Sequence, residues 1–569
     1  MASLADLRVG SHHTERHSAC YPRGAIMKNS RPSAFPQPAT SPTSVDPTFD
    51  FVVIGSGFAG SLLATILQTQ GRRVAIVDRS SHPRFAIGES STPAASLILS
   101  SLADQYDLTW LKPFAKYGTW KAAYPEITIG RKRGFSYFQH EAGVSFQPHA
   151  DHSNELLAAA SSSDELSDTQ WLRSDVDAFF FKKACESGVA SFENSEVDSL
   201  DTTGAGWNVK VRSTQAPASA QIHNLSAGFL IDASGAGQVL ARHLGIKDEA
   251  DQLATNSRAI FAHVTGLPEW HSILEQAAPG STSDHPFHCD HAAQHHILEE
   301  GWMWWLRFDS NVTSVGLVVD DRKTSQSDRR VIDSELHDII GRYPSLKSAF
   351  ASTCVTNSAS IPIRTKRLQR LAAQITGNDW AMLPHTAGII DPLHSTGIAH
   401  SLSGVERLAE ILLARKHLPG DSPDHSLLRN RSLLRYDSIV RDELTLIDQL
   451  VAGCYDAIAQ RSFRKFVAFT MCYFAAATTW ERRRLQHPNE PRVHGSDVAA
   501  MFRPALLCAD VAEFRAAVFD LRGQMPDETD ESFEILCKET LARFNHVGLF
   551  EPPIPNMYGA TALSEDVEH

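Results

Sequence analysis

An apolar run that ends in closely spaced glycines, at residues 49–61, is the feature that most constrains the fold of this chain. Residues 49–54 have the pattern of a β-strand, and Gly55, Gly57 and Gly60 follow in the spacing G-x-G-x-x-G. The first glycine permits a tight turn, the second lets the backbone approach a pyrophosphate, and the third lets the helix pack closely against the strand. The pattern predicts a dinucleotide-binding unit where the folded chain begins.

A helix and a second strand complete this unit. The helix is predicted from about Phe58 to Gln70, so Phe58 and Ala59 lie where free N–H groups face the phosphates. The second strand ends at Asp78, 18 residues after Gly60. A carboxylate at that distance can accept a hydrogen bond from a ribose hydroxyl.

Two later segments favour FAD as the bound dinucleotide. Residues 172–180 begin a helix near Arg173 and resemble the arginine-bearing segment of the large-flavoprotein monooxygenase fold. Residues 229–237 form an apolar strand that ends at Asp232, and they resemble the second FAD-contacting strand of that fold. No second complete glycine fingerprint follows a strand, so we predict no NAD(P)H site and a separate flavin reductase that supplies the reduced cofactor.

Four ordered segments resemble the flavin-dependent halogenases, in particular the branch that acts on free phenols and phloroglucinol. They are Gly-Glu-Ser-x-x-Pro with Glu89 and Ser90, residues 130–137 around Lys132, the pair Trp302 and Trp304, and residues 388–398 with Asp391, His394, Thr396 and Gly397. Residues 448–457 resemble the helical C-terminal region of the phloroglucinol-type enzymes. The resemblance covers about residues 50–480. It implies an α/β fold with a Rossmann-like FAD-binding part, a sheet-containing substrate part and a helical C-terminal region.

The chemistry that this resemblance implies is halide oxidation. Reduced FAD and O2 convert chloride or bromide into hypohalous acid, which crosses a tunnel and halogenates a small electron-rich aromatic, phenolic or pyrrolic. In the family, Glu89 and Ser90 belong to a strap between the two sites, and Asp391 and Gly397 line the flavin ring. Thr396 and Gly397 are the halide candidates, because backbone N–H groups at a turn entering a helix bind anions.

Halogen transfer needs an amine near the substrate, and two lysines compete for this role. A lysine suits it because its pKa shifts readily on desolvation. Lys132 is favoured, and Lys121 is the alternative because its surroundings resemble the lysine segment of the tryptophan-acting branch. Because side chains alternate between the two faces of a β-strand, Arg131 and Arg133 are predicted to point away from the face of Lys132.

Trp302 and Trp304 share one face of a predicted strand, and in the family such indoles separate flavin from substrate. Arg307 stands where the family has proline, which favours an alternative: an FAD-dependent monooxygenase that does not use halide. A second alternative is a non-catalytic flavin-binding protein.

Two histidines depart from related patterns. His394 replaces the glutamate of tryptophan-acting enzymes, which argues against tryptophan as the substrate. His394 either acts as a general base toward a phenol or packs beside the flavin. His385 replaces the aspartate that many flavoproteins of this fold carry, which predicts weaker retention of FAD.

Composition narrows the remaining possibilities. The net charge of −13 argues against nucleic-acid binding, and eight cysteines without a close pair favour a reducing, cytoplasmic location. The most apolar run, residues 466–480, is too short to span a membrane, so we expect a buried helix or one that lines a substrate tunnel. The histidines at 288–296 lack zinc-ligand spacing, and no metal site is predicted.

The predicted organisation has three parts. Residues 1–48 form a disordered tail. Residues 49–415 form the FAD-binding domain, with an interleaved substrate sheet at about 126–160 and 250–370. Residues 416–569 form a helical region.

Overall fold

A computed structural model of the protein describes residues 48–204, 206–215, 222–322, 332–356, 361–414, 423–486 and 503–563. The tail predicted at 1–48 lies outside these residues except for Thr48, which begins the first strand.

Nearly all the strands lie in the first two thirds of the described chain, where helices separate short runs of strands. The strands are β1 Thr48–Ile54, β2 Val74–Val77, β3 Ile129–Lys132, β4 Gly134–Gln139, β5 Glu155–Ala159, β6 Asp168–Trp171, β7 Ala190–Phe192, β8 Ser195–Thr203, β9 Gly206–Ser213, β10 Ile222–Asp232, β11 Ser257–Thr265, β12 Ala293–Leu298, β13 Gly301–Arg307, β14 Val312–Asp320, β15 Cys354–Val355, β16 Ile363–Arg364, β17 Arg370–Leu371, β18 Trp380–Met382, β19 Gly388–Ile389 and β20 Met557–Tyr558. The helices are α1 Phe58–Thr69, α2 Pro93–Gln105, α3 Tyr117–Ala123, α4 Arg173–Glu186, α5 Val239–Leu244, α6 Trp270–Ala277, α7 Ile332–Gly341, α8 Pro344–Phe350, α9 Pro384–Ala387, α10 Gly397–Leu413, α11 Pro423–Ala459, α12 Phe463–Gln486, α13 Ala512–Gln524 and α14 Asp530–Thr540.

The first sheet has the order β7-β2-β1-β10-β9-β8, with β18 also paired to β10. The pairings among β7, β2, β1, β10 and β18 are parallel, and β8 and β9 form an antiparallel extension. Strand β2 is buried throughout, because helices cover both faces of a parallel sheet. The carboxyl ends of β1 and β10 lie side by side, with Ile54 paired to Asp232. In open α/β sheets this edge is where ligands bind.

The second sheet has the order β15-β11-β14-β13-β12-β4-β5-β20, with β16 also paired to β11. Its two faces contribute to different hydrophobic cores, because side chains alternate along each strand. Trp302 and Trp304 belong to the main core, which continues into the first sheet. Met303 and Trp305 belong to a separate core on the opposite face.

Two long helices, α11 and α12, follow the sheets and pack against one another. The apolar run at 466–480 lies inside α12, where its side chains are almost all buried. Phe466, Tyr473 and Phe474 pack edge-on against Tyr137 or Phe135 of β4. No helix in the described part of the chain is long and apolar enough to cross a membrane. The mixture of a largely parallel sheet, a second sheet and a helical C-terminal region confirms the predicted α/β class.

Candidate active site

The glycine fingerprint lies at the carboxyl end of β1. Gly55 has a φ of +109°, and a Cβ there would lie 2.4 Å from the carbonyl oxygen of Ala233. A Cβ on Gly60 would lie 2.2 Å from the carbonyl oxygen of Gly55. Both positions therefore require glycine. Gly57 faces more open space, since its Cβ would meet only atoms at 3.7 Å or more.

Phe58 and Ala59 occupy the first turn of α1, as predicted. The Phe58 N–H donates to Asp177 at 3.3 Å. The other early N–H groups of α1 have no partner inside the helix, a general property of helix N-termini. They are available to a phosphate.

Asp78 follows β2 and accepts hydrogen bonds within the same loop cluster. One oxygen accepts from the N–H and the hydroxyl of Ser56 at 2.8 Å each and from Arg84 at 2.9 Å, and the other accepts from the N–H of Ser80. Burial opposes its ionisation, but Arg84 and these donors together hold the pKa of Asp78 below its usual value. The carboxylate lies beside the fingerprint and is engaged by Ser56, Ser80 and Arg84, and its contact with a ribose stays a prediction.

Arg173 connects the fingerprint helix to the segment that contains Glu89. Its guanidinium makes two 2.8 Å hydrogen bonds to Asp177, lies over the ring of Phe58 and donates to the carbonyl of Gly88 at 3.1 Å. Glu89 is buried; one oxygen lies 2.8 Å from His263 Nε2, and the other has no partner among the described residues.

The start of α10 borders open space at Gly397. Gly397 is exposed although its neighbours from Leu393 to Thr396 and from Ile398 onward are buried. A Cβ on Gly397 would meet nothing within 4 Å. Thr396 is the N-cap residue of this helix, so free N–H groups border the open space. These residues fit the predicted flavin ring and halide.

The Ser90 hydroxyl is buried and has no hydrogen-bond partner in the described part of the chain. Together with the second oxygen of Glu89, it provides polar atoms that a bound cofactor can satisfy, since buried polar groups are normally hydrogen-bonded. The chain's own residues therefore fit FAD at this edge of the first sheet.

Asp232 is fully buried at the end of β10, beside the glycine fingerprint. Its two oxygens accept from the N–H groups of Ser234 at 2.9 Å and Leu240 at 2.7 Å. Burial raises its pKa despite these donors. Asp232 organises the turn after β10, and its predicted role in binding FAD stays a prediction.

His385 lies next to the glycine turn after β10, with its ring 3.4 Å from the position of a Cβ on Gly235. Burial, helped by Arg370 and Arg173, lowers the pKa of His385 to about 3. A neutral imidazole thus replaces the negative charge that the related flavoproteins carry.

A buried hydrogen-bond chain links Asp391 to the tryptophan strand. Trp302 Nε1 donates to the Tyr455 hydroxyl at 3.1 Å, and Tyr455 donates to Asp391 at 3.0 Å. Ser257 donates to the same Asp391 oxygen at 2.7 Å. Burial raises the pKa of Asp391 to about 6, although these donors oppose the shift. Sequence reasoning missed Tyr455 and Ser257, which lie on α11 and β11.

Lys132 ends β3 and is almost completely buried, with 1% of its surface exposed. Its Nζ donates to the carbonyl of Ser91 and lies 4.2 Å from the centroid of the Phe135 ring. Burial lowers the pKa of Lys132 to about 7, although the nearby Asp168 acts in the opposite direction. An amine with this pKa can hold or release a proton at neutral pH.

The two arginines beside Lys132 point away from it. Arg131 and Arg133 both form ion pairs with Asp164, at 3.0 and 3.2 Å. The period-two prediction for this strand is confirmed. Lys121, the alternative lysine, lies on α3 and pairs with Asp309 at 3.1 Å, with 30% of its side chain exposed.

Aromatic side chains lie beside Lys132 on the main-core face of the second sheet. We call Phe135, Tyr137, His295, Trp302 and Tyr473 the aromatic cluster. His295 stacks on Tyr137 at 4.5 Å and lies 5.1 Å from Trp302. Tyr473 packs edge-on against Phe135 at 5.9 Å. Strand alternation puts Phe135 and Tyr137 on one face of β4, whereas nothing local in the sequence points to His295 or Tyr473.

Trp302 and Trp304 share one face of β13, as predicted, with ring centroids 5.9 Å apart. The indole N–H of Trp304 donates to Ser314 at 3.1 Å. Gly316 on β14 makes room for this ring, since a Cβ there would lie 2.1 Å from it.

His394 is buried and stacks on Tyr473, with ring centroids 4.5 Å apart and planes within 7°. Its Nδ1 has no partner among the described residues. Burial lowers the pKa of His394 to about 3. This neutral, weakly basic imidazole fits packing beside the site better than general-base catalysis.

Arg307 lies at the end of β13, but its side chain does not join the face of Trp302 and Trp304. It pairs with Asp290 at 2.6 Å and donates to the carbonyls of Leu267 and Pro268. Asp290 in turn accepts from the N–H of Trp270 at the start of α6. The charge of Arg307 is therefore used to hold a loop, so the feature that favoured a monooxygenase has a structural explanation.

Two sequence families match this chain. The family described as tryptophan halogenase matches residues 170–462, just over half of the chain. The NAD(P)-binding Rossmann-like domain matches residues 53–124.

Similar proteins include two named halogenases. Tetracycline 7-halogenase of Kitasatospora aureofaciens is 25% identical over 431 residues, which are 75% of this chain and 71% of the relative. Monodechloroaminopyrrolnitrin halogenase PrnC of Pseudomonas fluorescens is 26% identical over 497 residues, 84% of this chain and 81% of the relative. The solved structure of halogenase PltM in complex with phloroglucinol and FAD has a TM-score of 0.75 at 22% identity, over 88% of this chain and 98% of that one. This last likeness shows a shared fold.

Proposed function

This chain belongs to the tryptophan halogenase family and is accordingly a flavin-dependent halogenase, an oxidoreductase, and we propose that it halogenates a small phenolic or pyrrolic substrate at Lys132. The observation that carries the proposal is the position of Lys132, a buried amine with a pKa near neutrality beside an aromatic cluster. Buried ionisable groups with shifted pKa values concentrate at functional sites.

FAD is the cofactor, and when bound in its reduced form it supplies, with O2, the oxidation of chloride or bromide to hypohalous acid. On the protein side, the fingerprint and the first turn of α1 would hold the pyrophosphate. The free N–H groups around Thr396 and Gly397 would hold the halide. Because one fingerprint serves one dinucleotide, we propose that a separate flavin reductase supplies reduced FAD.

Lys132 would act where hypohalous acid meets the substrate. Its Nζ either donates a hydrogen bond to the oxygen of hypohalous acid or carries the halogen. The overall change is balanced: the ring loses a proton, gains the halogen, and the oxygen leaves as water. Trp302 and Trp304, buried between β12 and β14, would separate the flavin side from the substrate side.

Two polar atoms support a phenol or pyrrole as the substrate. The Tyr137 hydroxyl and His394 Nδ1 are both buried and have no partner among the described residues. A substrate O–H or N–H can satisfy such atoms, and an electron-rich ring can pack on the aromatic cluster. The relatives named above for tetracycline and for monodechloroaminopyrrolnitrin, and the solved complex with phloroglucinol, support the same class.

A product assay tests the proposal. The enzyme, FAD, a flavin reductase, NADH and bromide or chloride are mixed with a panel of phenols and pyrroles, and mass spectrometry detects halogen isotope pairs. A scavenger is added that reacts with free hypohalous acid. Its halogenated product reports halide oxidation even when the panel lacks the true substrate. We expect Lys132→Met to lower halogenated product at least about a hundredfold while FAD binding persists.

Lys121→Met is the matched control and should keep its activity, because Lys121 lies in a partly exposed ion pair. Loss in Lys121→Met with activity in Lys132→Met would contradict the role of Lys132. Products that gain 16 mass units without halogen would identify a monooxygenase, and flavin binding without halide or substrate oxidation would identify a non-catalytic flavin-binding protein. A cytoplasmic location is part of the proposal, supported by the sparse cysteines.

A further inference from the structure

Three side chains with metal-binding atoms converge away from the candidate active site. His152, Glu155 and His285 each offer one ligand atom, and these atoms lie within 4.8 Å of one another. His152 Nδ1 lies 2.7 Å and His285 Nε2 lies 3.3 Å from the same oxygen of Glu155. In a tetrahedral zinc site with bonds of about 2.0–2.1 Å, neighbouring ligand atoms are about 3.3 Å apart. The distance between His285 and Glu155 matches this value, whereas His152 and Glu155 are closer, at hydrogen-bond distance.

An unsatisfied carboxylate oxygen in the same cluster points to a ligand. Glu155 is completely buried, and its second carboxylate oxygen has no partner among the described residues. A buried carboxylate with one unpaired oxygen is costly unless a cation or a donor satisfies it, and a divalent cation would satisfy it directly.

Asp284 lies next to the cluster and can orient one of its histidines. Its carboxylate lies 3.5 Å from Nε2 of His152, the ring nitrogen that does not face Glu155. Metal-binding histidines usually donate their second ring N–H to a carboxylate, which fixes the tautomer and the ring orientation. In this arrangement Nδ1 of His152 is the metal ligand and Nε2–H is held by Asp284.

The cluster joins segments that are distant in sequence. His152 and Glu155 lie at the turn into β5, and His285 lies in the loop between α6 and β12. The backbone carbonyl of His152 also accepts from Asn556, just before β20. Glu155 alternates with Leu156, so it lies on the face of the second core, opposite the main-core face that holds the aromatic cluster. A cation here would stabilise structure, with no part in halogen transfer.

We propose that His152, Glu155 and His285 form a structural site for a divalent transition-metal ion of the zinc type, with Asp284 orienting His152. The ligands are two imidazole nitrogens and one carboxylate oxygen, a set that suits Zn²⁺ with water in the fourth position. The histidines at 288–296 do not contribute to it. The proposal does not depend on the halogenase assignment.

Metal content and thermal unfolding of the full chain test the site. After treatment with a chelator, the protein should bind about one equivalent of Zn²⁺, measured by calorimetry and by elemental analysis, and its Tm should rise. His285→Gln should weaken Zn²⁺ binding about a hundredfold or more and abolish the rise in Tm. Glu155→Gln should do the same, and His285→Gln remains informative if the buried Glu155 variant fails to fold.

His149→Gln is the control, because His149 is an exposed histidine on the same turn. It should bind Zn²⁺ like the unaltered protein. Absence of Zn²⁺ binding by the chelator-treated protein would overturn the proposal, as would equal binding by His285→Gln or loss of binding in His149→Gln.

Discussion

At the residue scale, Lys132 illustrates the conflict between function and stability. A buried amine loses hydration, and the carbonyl of Ser91, the ring of Phe135 and the nearby Asp168 compensate for only part of that loss. Functional groups held in such surroundings commonly reduce stability. The lowered pKa of Lys132 reflects the free energy lost on burying its charge. Because that loss depends on pH, it can be tested by measuring stability at several pH values.

Lys132→Met should make the protein more stable near pH 7. The pKa of Lys132 is about 7 when folded and about 10.5 when unfolded, so between these values the unfolded chain binds more protons and stability rises with pH. The destabilisation caused by burying the charged Lys132 is therefore complete below about pH 7 and absent above about pH 10.5. The shift corresponds to about 5 kcal/mol, and the loss of the hydrogen bond to Ser91 offsets about 1–3 kcal/mol of it. We therefore expect the variant to gain about 2–4 kcal/mol at pH 6–7, and the gain to shrink as the pH approaches 10, as measured by thermal unfolding across this range.

The control for this measurement is Lys121→Met, which removes a partly exposed amine and should change stability little at any pH. A Lys132→Met variant that is less stable than the unaltered protein at pH 6 would contradict a lowered pKa in the folded state.

Individual site residues differ in how far the sequence reveals them. The inward direction of Lys132 follows from period two, because Arg131 and Arg133 take the other face. Tyr455 and Ser257 could not be predicted in the same way. Their hydrogen bonds to Asp391 join residues 64 and 134 positions apart, and only the packing of α11 against the sheets brings them together.

At the element scale, helix α10 has two glycines in different surroundings. Gly397, at its N-terminus, borders the predicted flavin position, and Gly404 packs against Pro384. Gly397→Ala adds a methyl group where nothing lies within 4 Å, whereas Gly404→Ala would bring a Cβ within 2.2 Å of Pro384. We expect Gly397→Ala to keep the Tm of the protein without FAD but to weaken FAD binding about tenfold or more, since the methyl group enters the predicted position of the flavin.

Gly404→Ala should show the opposite pattern, with a lower Tm that reflects overpacking of about 1–3 kcal/mol. Flavin fluorescence titration and thermal unfolding measure the two quantities. Unchanged FAD affinity in Gly397→Ala would move the flavin ring away from α10.

Strand β13 provides the second test at this scale. Arg307→Pro restores the residue found in related halogenases, but it removes the ion pair to Asp290 and the bonds to Leu267 and Pro268. We expect the free energy of unfolding to fall by about 3 kcal/mol, measured by denaturant titration, with no switch between halogenation and oxygen insertion.

Arg307→Lys keeps the positive charge and should lose less stability than Arg307→Pro. A stabilised Arg307→Pro variant would show that the contacts of Arg307 do not hold the loop. A variant that changes the reaction would show that Arg307 acts on the site.

At the scale of the whole molecule, local and distant pairing explain which elements the sequence predicts. The unit from β1 to Asp78 is recognisable because its strands and helix are adjacent in the chain, and its fingerprint is local. The apolar run within α12 is similarly evident. Strand β20 is different: its two residues carry no strand pattern, and it lies in the region 416–569 that the sequence predicts to be helical. Pairing with β5, about 400 positions earlier, determines its structure.

The C-terminal segment closes one edge of the second sheet, and removing it should destabilise the whole molecule. The N–H of Leu157 donates to Asn556, and the N–H groups of Thr561 and Ala562 donate to Ala159 and Ala160. A chain that ends at Pro553 leaves the edge of β5 unpaired, and unpaired strand edges promote aggregation. We expect a lower Tm and concentration-dependent association, measured by thermal unfolding and light scattering.

A chain that ends at Leu563 is the matched control, because it keeps every one of these hydrogen bonds and should behave like the full protein. Equal behaviour of the two truncated chains would mean that β20 contributes nothing to the sheet. If only the shorter chain loses stability, an edge strand from the far end of the sequence is required to hold the substrate-side sheet together.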